Sequence, residues 1–226
     1  MQTLLLPGMD GTGRLFASFQ SCLPPELNPR IIKYSSEQPC SYDQLLENIS
    51  VPSGPFAVVA ESFSGPLGVR LATRYPDRLR ALVLVASFVR SPSILAGWMH
   101  TIFGSQMFRM RLPDIALRYG LLGMDATDDE VDDLRDVLQS VKPSVLAGRL
   151  GEIITVDVRN GFTEIKVPIL LVAGKRDRLV GSKVITQMKL LRPDVEIRVL
   201  DAPHMVLQRR PEEAGKLISE FLLKHE

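Results

Sequence analysis

The feature that most constrains this chain is an alternation of short, mostly apolar runs with segments of helical periodicity. Thr3–Leu6, Arg30–Tyr34, Phe56–Ala60, Ala81–Ala86, Pro168–Ala173 and Val195–Leu200 are four to six residues each and rich in Val, Leu and Ile. Apolar runs of that length suit strands covered on both faces, the condition inside a parallel sheet. Between them, Gly13–Cys22, Tyr42–Ile49, Pro66–Tyr75, Lys183–Leu191 and Pro211–Lys224 carry helical patterning. Pro211 followed by Glu212 and Glu213 marks a helix start, because Pro suits the first helical position and the helix dipole favours anions there. The pattern predicts an α/β fold, a mostly parallel sheet of about six strands flanked by helices and joined by right-handed crossovers.

The alternation stops between about Phe88 and Leu150. Ile94–Phe103, Leu112–Leu121, Asp128–Val141 and Ser144–Thr155 read as helices, the third opened by Thr127 as N-cap and by Asp128, Asp129 and Glu130 in its first turn. The expected organisation is a core of residues 1–87 and 150–226 with a small helical cap over the sheet at 88–149. The competing reading packs these helices against the sheet edge. A chain of 226 residues suits one domain with such an insertion. Lys plus Arg number 27 and Asp plus Glu 26, so no net field recruits nucleic acid or an anionic membrane. No apolar stretch approaches the roughly 20 residues of a membrane span. Met1–Gly8 lacks the basic leader of a signal peptide, and Cys22 and Cys40 are not needed as a staple, so a reduced, cytoplasmic protein is expected.

Ala60-Glu61-Ser62-Phe63-Ser64 links a buried strand to a helix. A serine nucleophile raised on a strained turn needs this order, with small residues two positions either side of it. Here those residues are Ala60 and Ser64. The competing reading of Ser62 is a helix N-cap. Of three histidines, only His204 follows a strand, in the loop after Val195–Leu200. A base placed there can reach a nucleophile on the same carboxyl edge of the sheet. Asp177 lies between serine and histidine in chain order, four residues past the strand that ends at Ala173. It would fix the imidazole tautomer; the alternative is a solvated aspartate paired with Arg176 or Arg178, and Asp157 and Asp201 are the fallback acids. Ser64 is assigned to capping or packing.

A tetrahedral intermediate needs preorganised donors. The Phe63 N–H is one, and the Gly-rich loop Leu6–Gly13 offers the Met9 N–H as the second. The spacing of Gly8, Gly11 and Gly13 matches neither common phosphate-binding fingerprint, and Asp10 would repel a phosphate. No metal site or cofactor is expected.

With these residues in place the chain resembles the α/β-hydrolase superfamily, particularly its small bacterial esterase-like and thioesterase-like members. Leu-Pro-Gly-Met-Asp-Gly, Ala-Glu-Ser-Phe-Ser-Gly, Gly-Lys-Arg-Asp and Ala-Pro-His occur in family order, over about residues 1–87 and 168–224. The resemblance implies a Ser62–His204–Asp177 triad with oxyanion donors at Met9 and Phe63. It further implies hydrolysis of a small-molecule ester or thioester through an acyl-enzyme. Pro7 stands where many relatives carry histidine, and the two glycines that relatives carry around the serine, in the tight turn called the nucleophile elbow, are replaced by Ala60 and Ser64. The resemblance also implies that an N-terminal hairpin common in relatives is absent, so that a sheet edge is expected to need cover, as from a partner copy in a homo-oligomer. Substrate contacts are expected from Gly8 and Asp10, from Trp98, Phe103 and Met107 in the insertion, and from Met205; the insertion residues have an alternative role as the cap's own core. The rival functions are carbon–carbon hydrolysis, lyase chemistry or acyl transfer on the same residues, and ligand binding without turnover.

Overall fold

Six strands form one sheet in the computed structural model, which describes residues 1–92 and 112–226. They are β1 (Gln2–Leu6), β2 (Pro29–Ile31), β3 (Phe56–Glu61), β4 (Leu79–Val85), β5 (Ile169–Gly174) and β6 (Glu196–Leu200). The spatial order is β2-β1-β3-β4-β5-β6 and every neighbouring pair is parallel. Parallel neighbours need crossover connections, and helices supply them. Among the described residues the α-helices are, in chain order, α1 (Ala17–Ser21), α2 (Tyr42–Asn48), α3 (Gly65–Arg74), α4 (Asp114–Leu117), α5 (Asp128–Gln139), α6 (Pro143–Thr155), α7 (Arg159–Glu164), α8 (Ser182–Leu191), α9 (Val206–Arg209) and α10 (Pro211–Lys224), the last two following β6.

Strand periodicity sorts the core into two layers. Leu4, Leu6, Val58, Ala60, Leu82 and Leu84 join side chains of α2, α3, α6, α7 and α8 on one face. Leu5, Ala57, Val59, Val83 and Val85 join α1 and α10 on the other. Each fully buried Leu or Val contributes about 1.5–3 kcal/mol. A one-residue slip of a strand would exchange its two sets, so register follows from this burial. The chain runs from β1 to β2 in one direction, then returns past β1 to add β3 through β6 on the other side. Such a reversal opens a crevice at the carboxyl ends of β1 and β3.

The predicted strand at Arg30–Tyr34 is shorter than expected. Ile32 N–H still bonds Leu5 C=O at 2.9 Å, but the chain then turns inward and Tyr34 N–H bonds Gly11 C=O at 2.8 Å. The expected helices at 112–121, 128–141 and 144–155 coincide with α4 and a π-helical turn at Arg118–Leu122, with α5, and with α6. Thr127 caps α5 in a capping box with Glu130, and Ser41 caps α2 with Gln44. The short helices α7 and α9 were not anticipated, being too brief to show a period. The expected helix at Ile94–Phe103 lies outside the described residues. Among the described residues no helix is long and apolar enough to cross a membrane.

Candidate active site

β3 is buried along its whole length and delivers Ser62 at its carboxyl end. Ser62 has φ 48°, a left-handed conformation that crowds a Cβ. The small neighbours explain how the turn is accommodated. A Cβ on Gly65 would lie 1.8 Å from Ser87 Oγ, and that hydroxyl donates to Ser62 C=O at 2.6 Å. A Cβ on Gly68 would come within 3.1 Å of Ala60 Cβ, so position 60 has little room for more than alanine. Ser64 is wholly buried; its hydroxyl bonds Pro7 C=O and meets Tyr34 Oη at 2.7 Å. The serine that stands in place of the second elbow glycine thus braces the elbow against the loop after β1.

Ser62 Oγ lies 2.9 Å from His204 Nε2, and His204 Nδ1 lies 2.9 Å from Asp177 Oδ2. A carboxylate only accepts, so the ring proton belongs on Nδ1 and the Nε2 lone pair faces the serine. Asp177 Oδ1 is held by the N–H groups of Leu179 and Val180 at 2.8 and 2.9 Å. The loops after β5 and β6 can run side by side because Gly174 has no side chain: a Cβ there would sit 2.3 Å from Pro203 O. Arg176 turns away to Asp201 and Asp125, and Arg178 lies 3.7 Å from the centroid of the Tyr119 ring. The fallback acids are placed elsewhere, Asp157 on Arg159 and Asp201 on Arg176, both partly or fully exposed.

Gly8, Met9 and Asp10 border the same pocket as Ser62 and His204. Asp10 Oδ1 accepts from the Thr12 N–H at 2.8 Å and the Thr12 hydroxyl at 2.6 Å, which stiffens the loop. Phe63 is held from behind, its C=O accepting from Tyr42 Oη at 2.7 Å and its ring stacked on Tyr42 at 4.8 Å. Leu15, Leu121, Leu134, Leu138 and Met205 supply the apolar wall. Trp98, Phe103 and Met107 lie outside the described residues. Among the described residues no group of three or more His, Cys, Asp and Glu is arranged to hold a metal ion.

Glu61 was missed, although it sits inside the elbow sequence itself. It lines the pocket, is buried, and its Oε1 has no partner among the described residues. Burial, reinforced by the Asp10 carboxylate and offset by the Gln208 amide and His204, pushes its carboxyl up to about 7. Tyr34, Tyr42 and Arg149 were missed too, and in sequence they carry no signal that separates them from ordinary core or surface residues.

The arrangement matches known proteins at two levels. In sequence, the chain is 27% identical over 175 residues to the pimeloyl-[acyl-carrier protein] methyl ester esterase of Aeromonas hydrophila, covering 71% of this chain and 68% of that one. It is 24% identical over 179 residues to the 2-(acetamidomethylene)succinate hydrolase of Mesorhizobium japonicum, covering 75% and 64%. The chain thus spans about two thirds of the length of these relatives. In structure, a carboxylesterase of Nitrososphaera gargenis superposes with a TM-score of 0.77 at 16% identity over 99% of this chain and 90% of that one. The enol-lactonase of Burkholderia xenovorans gives 0.77 at 18% identity over 98% and 91%. The family model described as serine aminopeptidase, S33, matches residues 42–203, well over half of the chain. The chain therefore belongs to the serine aminopeptidase S33 family of hydrolases, on the α/β-hydrolase fold.

Proposed function

We propose that this hydrolase is a serine esterase that works through an acyl-enzyme. The observation that carries the reading is the Ser62–His204–Asp177 relay, two contacts of 2.9 Å ending at the wall of a pocket. Ser62 Oγ attacks the ester carbonyl while His204 Nε2 takes its proton. The oxyanion receives the Met9 and Phe63 N–H groups. The imidazolium, steadied by Asp177, then protonates the departing alcohol, and water repeats the sequence to release the acid.

The methyl ester esterase relatives support an ester with a small alcohol. The second reading, hydrolysis of a dicarboxylate such as the Mesorhizobium relative's substrate, is disfavoured by charge. The Asp10 carboxylate borders the pocket, Glu61 adds a second negative charge above about pH 7, and no basic side chain other than His204 lines the pocket among the described residues. We assign residues 88–149 as a cap; Leu121, Leu134 and Leu138 from that segment on the pocket wall support this.

The test is labelling with a fluorophosphonate, followed by an ester and thioester series. The wild type should carry the adduct on Ser62, and Ser62→Ala should lose it together with a factor on the order of a million in kcat. Undiminished hydrolysis by Ser62→Ala would sink the reading.

A further inference from the structure

We propose that Arg149 is a positioning residue for the oxyanion loop, holding the Met9 N–H in its aim from the far side of the turn. The inference rests on the esterase reading and deepens it.

Gly8 to Gly11 form a tight turn, closed by Gly11 N–H to Gly8 C=O at 3.1 Å. Because a trans peptide is planar, the direction of Gly8 C=O sets the opposite direction of the Met9 N–H. The remaining freedom lies in the two central residues, Met9 and Asp10, and Arg149 binds the carbonyls of both. Its Nη1 donates to Met9 O at 2.8 Å and to Asp10 O at 2.6 Å, and its Nη2 to Ser35 O at 2.8 Å. The guanidinium lies 5.6 Å from the Tyr34 ring centroid, and Tyr34 N–H is the group that bonds Gly11 C=O. Gly11 is required twice, by its φ of 69° and because a Cβ there would lie 2.6 Å from Arg149 Nη1.

Energetics argue against a merely structural role. Arg149 is 2% exposed, and among the described residues none of its hydrogen bonds goes to a carboxylate. A buried cation met by carbonyls, the Tyr34 ring and only the more distant field of the Asp10 carboxylate is still costly to desolvate, and an apolar side chain at this helical position would pack α6 more cheaply. What an apolar residue would not do is bind three carbonyls at once. A lysine keeps the charge but lacks the planar fork.

The experiment compares Arg149→Ala and Arg149→Lys with the wild type on one activated ester, after thermal denaturation confirms that each is folded. The expected result is a loss of kcat on the order of tenfold to a hundredfold, somewhat below removal of an oxyanion donor, with KM nearly unchanged. Affinity for a trifluoromethyl ketone, whose adduct places an oxyanion in the hole, should fall in parallel. Added guanidinium, against a sodium chloride control, should restore part of kcat to Arg149→Ala. Folded variants with full kcat, or with raised KM and unaltered ketone affinity, would overturn the positioning role while leaving the esterase intact. A wild type with no adduct on Ser62 would overturn the esterase reading, and this role with it.

Discussion

At Ser62 the backbone enters a region where any Cβ is crowded, yet a serine is kept there. The strain predicts an inversion of the usual ranking. Ser62→Gly should be more stable than Ser62→Ala by about 0.5–1 kcal/mol, since relief of the left-handed penalty exceeds the entropy cost of glycine. Chemical denaturation of the two variants checks this; alanine equal or better would mean the turn is unstrained. One residue earlier, Glu61 links the site to pH. Its carboxyl titrates at about 7 in the folded chain, against an ordinary value of 4.5. Between those values the folded state holds a proton that the unfolded state has released, so this group's contribution to stability declines as pH rises through that window. Above about pH 7 the accumulated cost is on the order of 3 kcal/mol. Glu61→Gln stays neutral throughout, so it should be more stable than wild type at about pH 8 and lose that advantage near pH 4. A stability difference that does not vary with pH would show that Glu61 ionises freely.

The helices between β4 and β5 show what a local pattern can and cannot announce. The start of α5 is written in Thr127-x-x-Glu130, and the structure forms both halves of the box, Glu130 N–H to Thr127 Oγ1 at 3.3 Å and Thr127 N–H to Glu130 Oε2 at 2.7 Å. Thr127→Ala should therefore cost about 1 kcal/mol, read as a lower urea midpoint with an unchanged slope. The same signature, Ser41-x-x-Gln44, opens α2. No comparable signal precedes α7, whose six residues follow Val158 without a side-chain cap. Ile31, Ile32 and Tyr34 all suit a strand, yet β2 ends at Ile31 and Tyr34 leaves its line to meet Ser64 and Gly11.

Across the whole molecule, the site depends on loops brought together from β1, β3, β5 and β6. The loop after β6 must pass the end of β5 to bring His204 to Ser62, and Gly174 leaves the space. Gly174→Ala should force these loops apart, costing about 1–3 kcal/mol of stability and roughly tenfold to a hundredfold in kcat. A thermal scan and steady-state kinetics would check both, and an unaffected enzyme would show that the contact yields freely. The alternation of strand and helix was legible in the sequence because periodicity is local, and so was the position of Ser62, Asp177 and His204 after three of the strands. The choice of Asp177 over Asp157 and Asp201 was favoured there by its place after a strand, but only the packed loops bring its carboxylate to the imidazole. Glu61's perturbed carboxyl and the grip of Arg149 were not legible at all. Arg149 reaches carbonyls 139 and 140 residues away, and such convergence depends on how α6 packs against the loop after β1. Periodicity tells a segment which face to bury; which distant groups then meet across that face is decided by tertiary packing alone.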